Sequence, residues 1–363
     1  MSKGFKKLGV GISGGVDSAV AALLLQQQGS EGHGVFMKNW SEDDFGGPCP
    51  WAEDQASATA VADHLGLSLE TWNFEQEYRE RVFKVMLHEY AQGRTPNPDI
   101  MCNREIKFSL FLDQALKQAP LIATGHYAVT TNGHLYKAKD ESKDQSYFLA
   151  AVSSQALQKT LFPIGHLQKN NVRKIAKDAG LPNWDRPDST GICFIGEKNM
   201  FDFLSKYLPA KPGNIVLRDG TVIGLHRGLQ FYTTGQRHGF GSGLDQKKLS
   251  SAIGAGKPVF VVEKNKHNNE LIVAPADQPE HIMVKEFMVA EPHWIHEITQ
   301  WPWQGMAKFR YRQDNVPIIL QPVGKKLRVV FQEPQRAITP GQYAVLYQGD
   351  ECLGSAVIAD ISA

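Results

Sequence analysis

The stretch Gly11-Ile12-Ser13-Gly14-Gly15-Val16-Asp17-Ser18 decides the fold of this chain. It follows a short apolar run, Leu8 to Ile12, and opens a segment from Val16 to Gln28 whose apolar residues have helical spacing. Adjacent glycines let backbone N–H groups approach an anion closely, and the first turn of a helix offers unpaired N–H groups. The stretch therefore predicts a phosphate-binding loop between a strand and a helix.

The loop differs from a Walker A sequence. Its Gly-Lys-Ser/Thr ending is absent, so the lysine that usually reaches the terminal phosphates is missing. Ser13 and Ser18 add hydroxyl groups, and Asp17 is a candidate for holding a Mg²⁺ ion that bridges phosphates. The alternative is a glycine-rich turn between strand and helix that has a structural role and binds no phosphate. The strand before the loop, the helix after it and these three side chains together favour phosphate binding.

The surrounding sequence alternates between strand and helix patterns. Strands are predicted over 33–37, 67–73 and 121–124, and helices over 51–65, 75–91 and 104–117. Short connections between such elements are typical of a doubly wound α/β fold with a parallel sheet. A ligand should then bind at the carboxyl ends of its strands.

The pattern changes after about Pro209. Glycine, proline and short alternating runs predict antiparallel strands over 214–217, 258–262, 271–273, 307–311, 327–331 and 343–347. We expect a catalytic domain over 1–209, a small mostly β central domain over 210–280 and a C-terminal β-barrel over 281–363. The run from Lys308 to Arg312 alternates bases with aromatics, which as a strand would put three bases on one face. Bases on such a face can contact RNA phosphates and aromatics can stack on unpaired nucleobases. A half-buried edge strand with solvated charges would have the same sequence pattern.

Composition indicates an ordinary globular protein. Of 363 residues, 42% are hydrophobic and 21% are charged, with a net charge of +1. No apolar run approaches the ~20 residues of a membrane span, and the first residues run straight into a strand. We therefore expect a cytoplasmic protein with no membrane partner. Residues 41–80 hold ten acids and one base, and residues 301–340 hold seven bases and two acids. This asymmetry is weak evidence for a polyanion on the C-terminal part.

The four cysteines, Cys49, Cys102, Cys193 and Cys352, form no C-x-x-C pair. Zinc binding and structural disulfides are disfavoured, and no resident metal is expected. Cys102 precedes a predicted helix, where the dipole lowers the pKa of a thiol, and Asp99 lies close enough in sequence to carry protons. Cys193, between two glycines, is by itself typical of a buried strand.

Several motifs resemble known families. The loop resembles the PP-loop of ATP pyrophosphatases, which have an adenine nucleotide alpha-hydrolase-like fold and cleave ATP between the α- and β-phosphates. The chain also resembles the tRNA-specific 2-thiouridylases over nearly its whole length. The segments that carry this second resemblance are 96–99 with Cys102, 123–128, 143–147, 189–196, 232–237 and 340–342.

This resemblance implies that ATP adenylates the C2 oxygen of wobble uridine 34 in tRNA and that sulfur then displaces AMP. Cys193 would carry a persulfide, and Cys102 would attack it and form a Cys102–Cys193 disulfide. Asp99 would act as general acid/base. Sulfur would come from a relay protein or cysteine desulfurase, and the tRNAs would be the Lys, Glu and Gln acceptors. The implied ATP contacts are Gly11, Ile12, Ser13, Gly14, Gly15, Val16, Asp17, Ser18, Met37 and Gly125. The implied tRNA contacts are Asn97, Pro98, Asp99, His126, Lys143, Asp144, Gln145, Tyr311, Arg312 and Gln342.

Three other functions are alternatives. An amide-forming PP-loop synthetase of the argininosuccinate type would need neither cysteine. A non-catalytic RNA-binding protein would release no pyrophosphate. A zinc-dependent RNA enzyme is disfavoured by the cysteine spacing.

Overall fold

The computed structural model describes residues 7–41, 50–188, 191, 199–240, 243–359 and 361. Its first layer is a five-stranded sheet in the order β3-β2-β1-β4-β7, in which every pair of neighbours is parallel. These strands are β1 (Lys7–Gly11), β2 (Glu31–Lys38), β3 (Leu69–Asn73), β4 (Ile122–Ala123) and β7 (Thr160–Leu161). The strand order reverses between β1 and β4, which creates a crevice for ligands at their carboxyl ends.

Helices cover both faces of this sheet, as a doubly wound fold requires. Along β2, Val35 and Met37 belong to one buried cluster and Phe36 to the other, because successive side chains of a strand point to opposite faces. The longer helices are α1 (Val16–Gln27), α2 (Pro50–Leu65), α4 (Lys84–Ala91) and α9 (Lys169–Asp178). The shorter ones are α3 (Glu75–Tyr78), α5 (Pro98–Cys102), α6 (Leu112–Ala115), α7 (Ser146–Leu149), α8 (Ser154–Gln158) and α10 (Met200–Leu204).

Two predicted helices contain π-helical segments, and the second is kinked at Phe108 (φ −105°, ψ 21°). Residues 79–83 join α3 to α4, and residues 103–111 join α5 to α6. Within the described residues, no helix is long and apolar enough to cross a membrane.

A second sheet has the order β10-β11-β8-β9. Its strands are β8 (Gly213–Leu217), β9 (Val222–His226), β10 (Val259–Asn265) and β11 (Glu270–Pro275), and helix α11 (Gln246–Ile253) lies between β9 and β10 in the chain. The prediction of purely antiparallel pairing is wrong here, because β8 and β11 are parallel. The intervening hairpin, helix and strand give the chain enough length to return in the same direction.

The third unit is a closed barrel of six strands. They are β12 (Met283–Trp294), β13 (Trp303–Lys308), β14 (Val316–Val323), β15 (Lys326–Arg336), β16 (Tyr343–Gln348) and β17 (Glu351–Ile358). Pairing of β12 with both β15 and β17 closes the barrel. The predicted combination of a parallel α/β sheet, a mostly β middle part and a C-terminal barrel is confirmed.

The barrel is joined to the first unit by strand pairing. Strand β17 also pairs with β6 (His134–Tyr136), which forms a hairpin with β5 (Val129–Thr131). That hairpin follows directly after the segment that leaves β4, so the barrel is held close to the crevice of the parallel sheet. The sequence analysis did not predict this junction.

Candidate active site

The loop from Gly11 to Ser18 lies at the carboxyl end of β1 and is closed by its own hydroxyl groups. Ser18 Oγ accepts from the Ser13 N–H at 3.1 Å and donates to the Gly15 carbonyl at 3.0 Å. Gly14 has φ +83°, and a Cβ there would lie 2.3 Å from the Asp54 carbonyl oxygen. Glycine is therefore required at this position both by conformation and by space.

The Gly14 carbonyl is anchored by three donors. Ser57 Oγ lies 2.7 Å from it, Asn183 Nδ2 2.8 Å and Arg186 Nη1 3.2 Å. In a trans peptide the carbonyl and the following N–H point in opposite directions. Fixing this carbonyl therefore fixes the Gly15 N–H on the other side of the loop, where the exposed Ser13 hydroxyl also lies. This arrangement preorganises the loop for an anion.

Asp17 has partners that the sequence analysis missed. Lys169 Nζ, at the start of α9, lies 2.8 Å from both carboxylate oxygens, and the Tyr127 hydroxyl donates to Oδ1 at 2.8 Å. Burial and the neighbouring Asp17 carboxylate raise the pKa of Tyr127, so its hydroxyl keeps its proton. A lysine is thus present beside the loop, although the loop sequence contains none.

Lys169 is shared with a second carboxylate, Asp188. Its Nζ lies 2.7 Å from Asp188, which also pairs with Lys143 and Arg173, each at 2.8 Å. Burial alone would raise the pKa of Asp188, but hydrogen bonds from Lys143 and Lys169 outweigh it and lower this pKa to about 2. Three bases therefore surround the carboxylates of Asp17 and Asp188, and among them Lys169 contacts the loop directly through Asp17.

Gly125 and Met37 lie at the same edge of the sheet. A Cβ on Gly125 would lie 2.5 Å from the Ser18 nitrogen, so this glycine allows the chain after β4 to pack directly on the first turn of α1. The Met37 Cε is 3.6 Å from the position of a Cβ on Gly11. Both predicted adenosine contacts are therefore adjacent to the loop, although their contact with a nucleotide stays a prediction.

Helix α5 carries Asp99 and Cys102. Asn97 caps it by accepting from the Ile100 N–H at 3.1 Å, and Pro98 occupies the first turn. The prediction that Cys102 precedes a helix is wrong, because the Asn97 cap starts the helix earlier and Cys102 is buried within it. Asp99 and Cys102 are three residues apart, so they share a face of this helix.

The barrel reaches this helix through Gln342. Its Nε2 donates to the carbonyls of Thr95 (2.9 Å) and Pro96 (3.2 Å), and its Oε1 accepts from Asn97 at 3.4 Å. Gly341 has φ +90°, and a Cβ there would lie 2.9 Å from the Thr95 nitrogen. Two predicted tRNA contacts from distant parts of the chain, Asn97 and Gln342, are therefore in direct contact.

His126 lies between the crevice and the 143–145 segment. It contacts Phe108 and Phe162, with ring centroids 5.5 and 5.8 Å away, and its Nδ1 is 2.7 Å from Thr124 Oγ1. Burial lowers the pKa of His126 well below its usual value, and Lys107 adds to this effect. The imidazole is therefore neutral at pH 7, so a contact with tRNA would be a hydrogen bond or a stacking contact.

Gln145 and Asp144 hold the backbone around this histidine. Gln145 makes two hydrogen bonds to the Tyr127 backbone, at 2.8 and 2.9 Å. Asp144 is buried and accepts from Ser146 Oγ at 2.8 Å and from the Ala138 N–H at 3.0 Å. The Asp144 side chain is thus committed inside the protein and orders the loop that carries Lys143.

The predicted face of alternating bases is absent. Strand β13 ends at Lys308, and the next residues form a turn in which the Phe309 N–H donates to Gln313 Oε1 at 3.1 Å. Arg310 and Arg312 are both exposed, but the Arg310 guanidinium donates to the Ala337 carbonyl of the barrel at 2.9 Å. The prediction is wrong because the strand ends at Lys308 and the chain turns over residues 310–313, where the Gln313 N–H donates to the Arg310 carbonyl at 3.1 Å.

Tyr311, in this same turn, packs on Phe148 with ring centroids 4.4 Å apart. The turn therefore contacts the end of the 143–148 segment, across the junction between the barrel and the parallel sheet. The predicted tRNA contacts form two neighbouring sets around this junction, one at Asn97 and Gln342 and one at Lys143 to Gln145 and Tyr311.

Cys193 and the rest of the 192–198 segment lie outside the described residues, as do Cys49 and positions 189 and 190. The described chain before this segment is anchored by Asp188, five positions ahead of Cys193. The approach of Cys193 to Cys102 therefore stays a prediction.

The sequence analysis gave no role to Lys169, Arg173, Asn183 or Arg186. The spacing of Lys169 and Arg173 puts them on one face of a helix, but such a pair is usually a solvated surface. The missing Walker A lysine was the one indication that a base must come from elsewhere in the chain.

Comparisons with known proteins agree over the whole chain. Three family models match: "tRNA methyl transferase HUP domain" over residues 6–197, "tRNA methyl transferase PRC-barrel domain" over 201–275 and "Aminomethyltransferase beta-barrel domain" over 284–358. The tRNA-specific 2-thiouridylase MnmA of Streptococcus agalactiae serotype III (strain NEM316) is 49% identical over 356 residues, covering 96% of this chain and 94% of that protein. The protein of the same name from serotype V (strain ATCC BAA-611 / 2603 V/R) has the same identity and coverage.

Solved structures show weaker likenesses. A 4-thiouridine synthetase in complex with RNA and ATP is 15% identical, covers 56% of this chain and 50% of that one, and has a TM-score of 0.34. A predicted subunit of tRNA methyltransferase from Methanocaldococcus jannaschii DSM is 14% identical, covers 47% and 74%, and has a TM-score of 0.33. At such TM-scores neither likeness bears on the fold or the function.

Proposed function

The chain belongs to the family of tRNA-specific 2-thiouridylases, and on that premise we propose that it uses ATP to convert wobble uridine 34 of tRNA to 2-thiouridine, with release of AMP and pyrophosphate. The observation that carries this proposal is the anchored loop after β1 with the basic cluster around Lys169 beside it. The helix that bears Asp99 and Cys102 contributes Cys102 to the same buried cluster as Met37.

The first step is adenylation of the C2 oxygen. Oxygen bonded to C2 leaves poorly, and transfer of AMP to it creates a good leaving group while pyrophosphate departs. The Gly11–Ser18 loop binds the phosphates, with Met37 and Gly125 beside the adenosine. Lys169 supplies the positive charge that the loop sequence lacks, and it stabilises charge that develops on the departing pyrophosphate.

Mg²⁺ bound with ATP would add positive charge beside the phosphates. Asp17, within the loop, would hold it, because carboxylate oxygens suit Mg²⁺. Asp17 now contacts Lys169 and Tyr127, so binding an ion would require it to exchange one of these contacts. Lys169 would then turn from Asp17 towards the phosphates.

The second step transfers sulfur. The terminal sulfur of a Cys193 persulfide forms a bond to C2, and the C2–O bond to AMP breaks. Cys102 Sγ attacks Cys193 Sγ, so that the sulfur–sulfur bond of the persulfide breaks and a Cys102–Cys193 disulfide forms. Asp99, one turn before Cys102 on the same helix, moves the proton that the Cys102 thiol loses. An external thiol must reduce this disulfide before the next turnover.

Binding of tRNA occurs at the junction between the barrel and the parallel sheet. A wobble base must leave its stack to reach the crevice, and the contacting residues would hold it there. The proposed contacts are Asn97, Pro98, Asp99, His126, Lys143, Gln145, Tyr311, Arg312 and Gln342, with Asp144 acting through the loop that it orders. We further propose that the substrates are the Lys, Glu and Gln acceptor tRNAs, that a sulfur-relay protein delivers the sulfur and that the protein is cytoplasmic. The proposed domains are residues 1–209, 210–280 and 281–363.

The test combines two readouts. The full chain is incubated with unmodified tRNA, ATP, Mg²⁺ and a persulfide-generating source, and both pyrophosphate and 2-thiouridine are measured. We expect Cys193→Ser to release pyrophosphate without forming 2-thiouridine, and Cys352→Ala to form both products, because Cys352 is a buried residue of barrel strand β17 that belongs neither to the loop nor to helix α5. Equal 2-thiouridine formation by Cys193→Ser would reject the persulfide assignment. Absence of pyrophosphate release by the wild type would reject the adenylation step.

A further inference from the structure

Three side chains from separate segments meet at the junction of β6 with the barrel. His134 lies on β6, Glu351 begins β17 and His296 follows the end of β12. His134 Nδ1 is 2.6 Å from Glu351 Oε1, and His296 Nδ1 is 3.0 Å from the same oxygen. The two rings are nearly perpendicular, with centroids 4.9 Å apart. One carboxylate oxygen is therefore faced by two imidazole nitrogens.

Strand pairing holds these side chains in place. Glu351 pairs with Tyr136 across the β6–β17 ladder, and His134 lies two residues before Tyr136 on β6. The side chains of Glu351, Tyr136 and His134 therefore lie on one face of the sheet. The His296 N–H donates to the Leu353 carbonyl at 3.1 Å, which attaches its backbone to β17 as well. The cluster is consequently set by backbone hydrogen bonds and does not depend on mobile side chains alone.

The chemistry of this set suits a transition-metal ion. Two imidazoles and one carboxylate are ligands that Zn²⁺ binds at about 2.0–2.2 Å, usually with four ligands in a tetrahedron. The three candidate ligand atoms lie within 4.8 Å of one another. The side chains of His134, His296 and Glu351 are 39%, 51% and 18% exposed, so the rings can move outward slightly and water can supply a fourth ligand.

Metal ligands must be deprotonated, and a carboxylate and neutral imidazoles meet this requirement at neutral pH. Each imidazole can present the Nδ1 lone pair when its proton resides on Nε2. The two hydrogen bonds to Glu351 would then be replaced by bonds to the ion.

We propose that His134, His296 and Glu351 bind one Zn²⁺ ion, separate from the nucleotide crevice, that links the β5–β6 hairpin to the barrel. Such an ion binds the folded junction and not the unfolded chain, so it stabilises the protein by mass action. Because the hairpin directly follows His126 and Tyr127, the ion would also fix the orientation of the barrel beside the crevice.

The test is a titration of the chelator-treated, desalted full chain with ZnCl₂ by calorimetry. We expect one ion per chain for the wild type and at least about tenfold weaker binding for His296→Gln and for Glu351→Gln, since each loses one of three ligands. The matched control is His281→Gln, which removes a histidine that contacts Arg218 and Gln278 elsewhere on the surface. Its affinity for Zn²⁺ should equal that of the wild type.

Two outcomes would overturn the proposal. One is the absence of Zn²⁺ binding to the wild type, and the other is equal affinity of His296→Gln and wild type. Substitution with Co²⁺ identifies the ligands independently, because cysteine ligands produce a thiolate-to-metal charge-transfer band that an imidazole–carboxylate site lacks. Circular dichroism in the absence of metal checks that His296→Gln and Glu351→Gln are folded. A metal-dependent rise in the melting temperature of wild type and His281→Gln, absent in the other two, is the expected result.

Discussion

Lys169→Gln removes the base that lies between the phosphate-binding loop and Asp188. The Lys169 side chain is 9% exposed, and its two carboxylate partners, Asp17 and Asp188, are 30% and 33% exposed. Removing one partner of a fully buried ion pair costs about 3–5 kcal/mol. Because water reaches both carboxylates and screens them, we expect a smaller loss of about 1–2 kcal/mol in the free energy of unfolding.

The effect on catalysis should be larger than the effect on stability. Loss of one donor to charge that develops in a transition state lowers kcat by about 10²–10³-fold. The assay is pyrophosphate release in the presence of saturating tRNA, measured at several ATP concentrations to separate kcat from KM. Lys257→Met is the control, since it removes an exposed lysine that pairs with Asp277 at 2.8 Å in the middle unit.

A double variant separates the two roles of Lys169. Asp188→Asn combined with Lys169→Gln removes one charge of each sign and leaves Asp17 in place, so part of the lost stability should return. Pyrophosphate release should nevertheless stay low, because the charge that faces the phosphates is still missing. If Lys169→Gln releases pyrophosphate within about twofold of the wild-type rate, Lys169 does not act on the phosphates and the reasoning from the missing Walker A lysine is refuted.

The remaining predictions concern the same network and the RNA junction. The pKa of Asp188 is lowered from 3.8 to about 2, so its ion pairs stabilise the fold above pH 4 and are lost as the pH falls from about 4 to about 2. In acid titrations of stability, Asp188→Asn should therefore be flatter than wild type in that window; an identical slope would contradict the assignment. Arg312→Ala should weaken tRNA binding and reduce the salt slope by about one, as measured by filter binding across salt concentrations. Arg310→Ala should instead lower the melting temperature of the barrel, because its guanidinium bonds the Ala337 carbonyl; the reverse pattern would refute the distinction. Gln342→Ala should raise the KM for tRNA several-fold and leave the KM for ATP unchanged, and a change confined to ATP would count against a tRNA contact at Gln342.

Local sequence determined much of the first unit. The alternation of short apolar runs with helical spacing predicted β1, β2 and β3 and the helices between them to within a few residues. It succeeded because each element is short and buried on a face that its own periodicity reveals. The Gly14–Gly15 pair likewise located the phosphate-binding loop, because a glycine pair between a strand and a helix is a purely local pattern.

Contacts between distant segments were not predictable from spacing. Lys169 meets Asp17 across 152 residues, and Gln342 meets Pro96 across 246. His134, His296 and Glu351 also come together only through strand pairing. They are far apart in the sequence, so a search for closely spaced ligands could not find them. Sequence spacing detects sites built on one element, whereas these sites combine residues of elements that are far apart in the chain.

The local errors have a common origin. Cys102 was predicted to precede a helix, but Pro98 occupies the first turn of a helix that Asn97 caps and that contains Cys102. Proline is well suited to that position, because its missing N–H would be unpaired there in any case. The run from Lys308 to Arg312 had the period of a strand, but the strand ends at Lys308 and the chain turns over residues 310–313.

The most direct test of the sulfur-transfer account is a single turnover of persulfide-loaded enzyme with ATP and unmodified tRNA, quenched in acid and analysed by peptide and nucleoside mass spectrometry. The account predicts one Cys102–Cys193 disulfide for each 2-thiouridine formed. Formation of 2-thiouridine while both cysteines remain as thiols would contradict it.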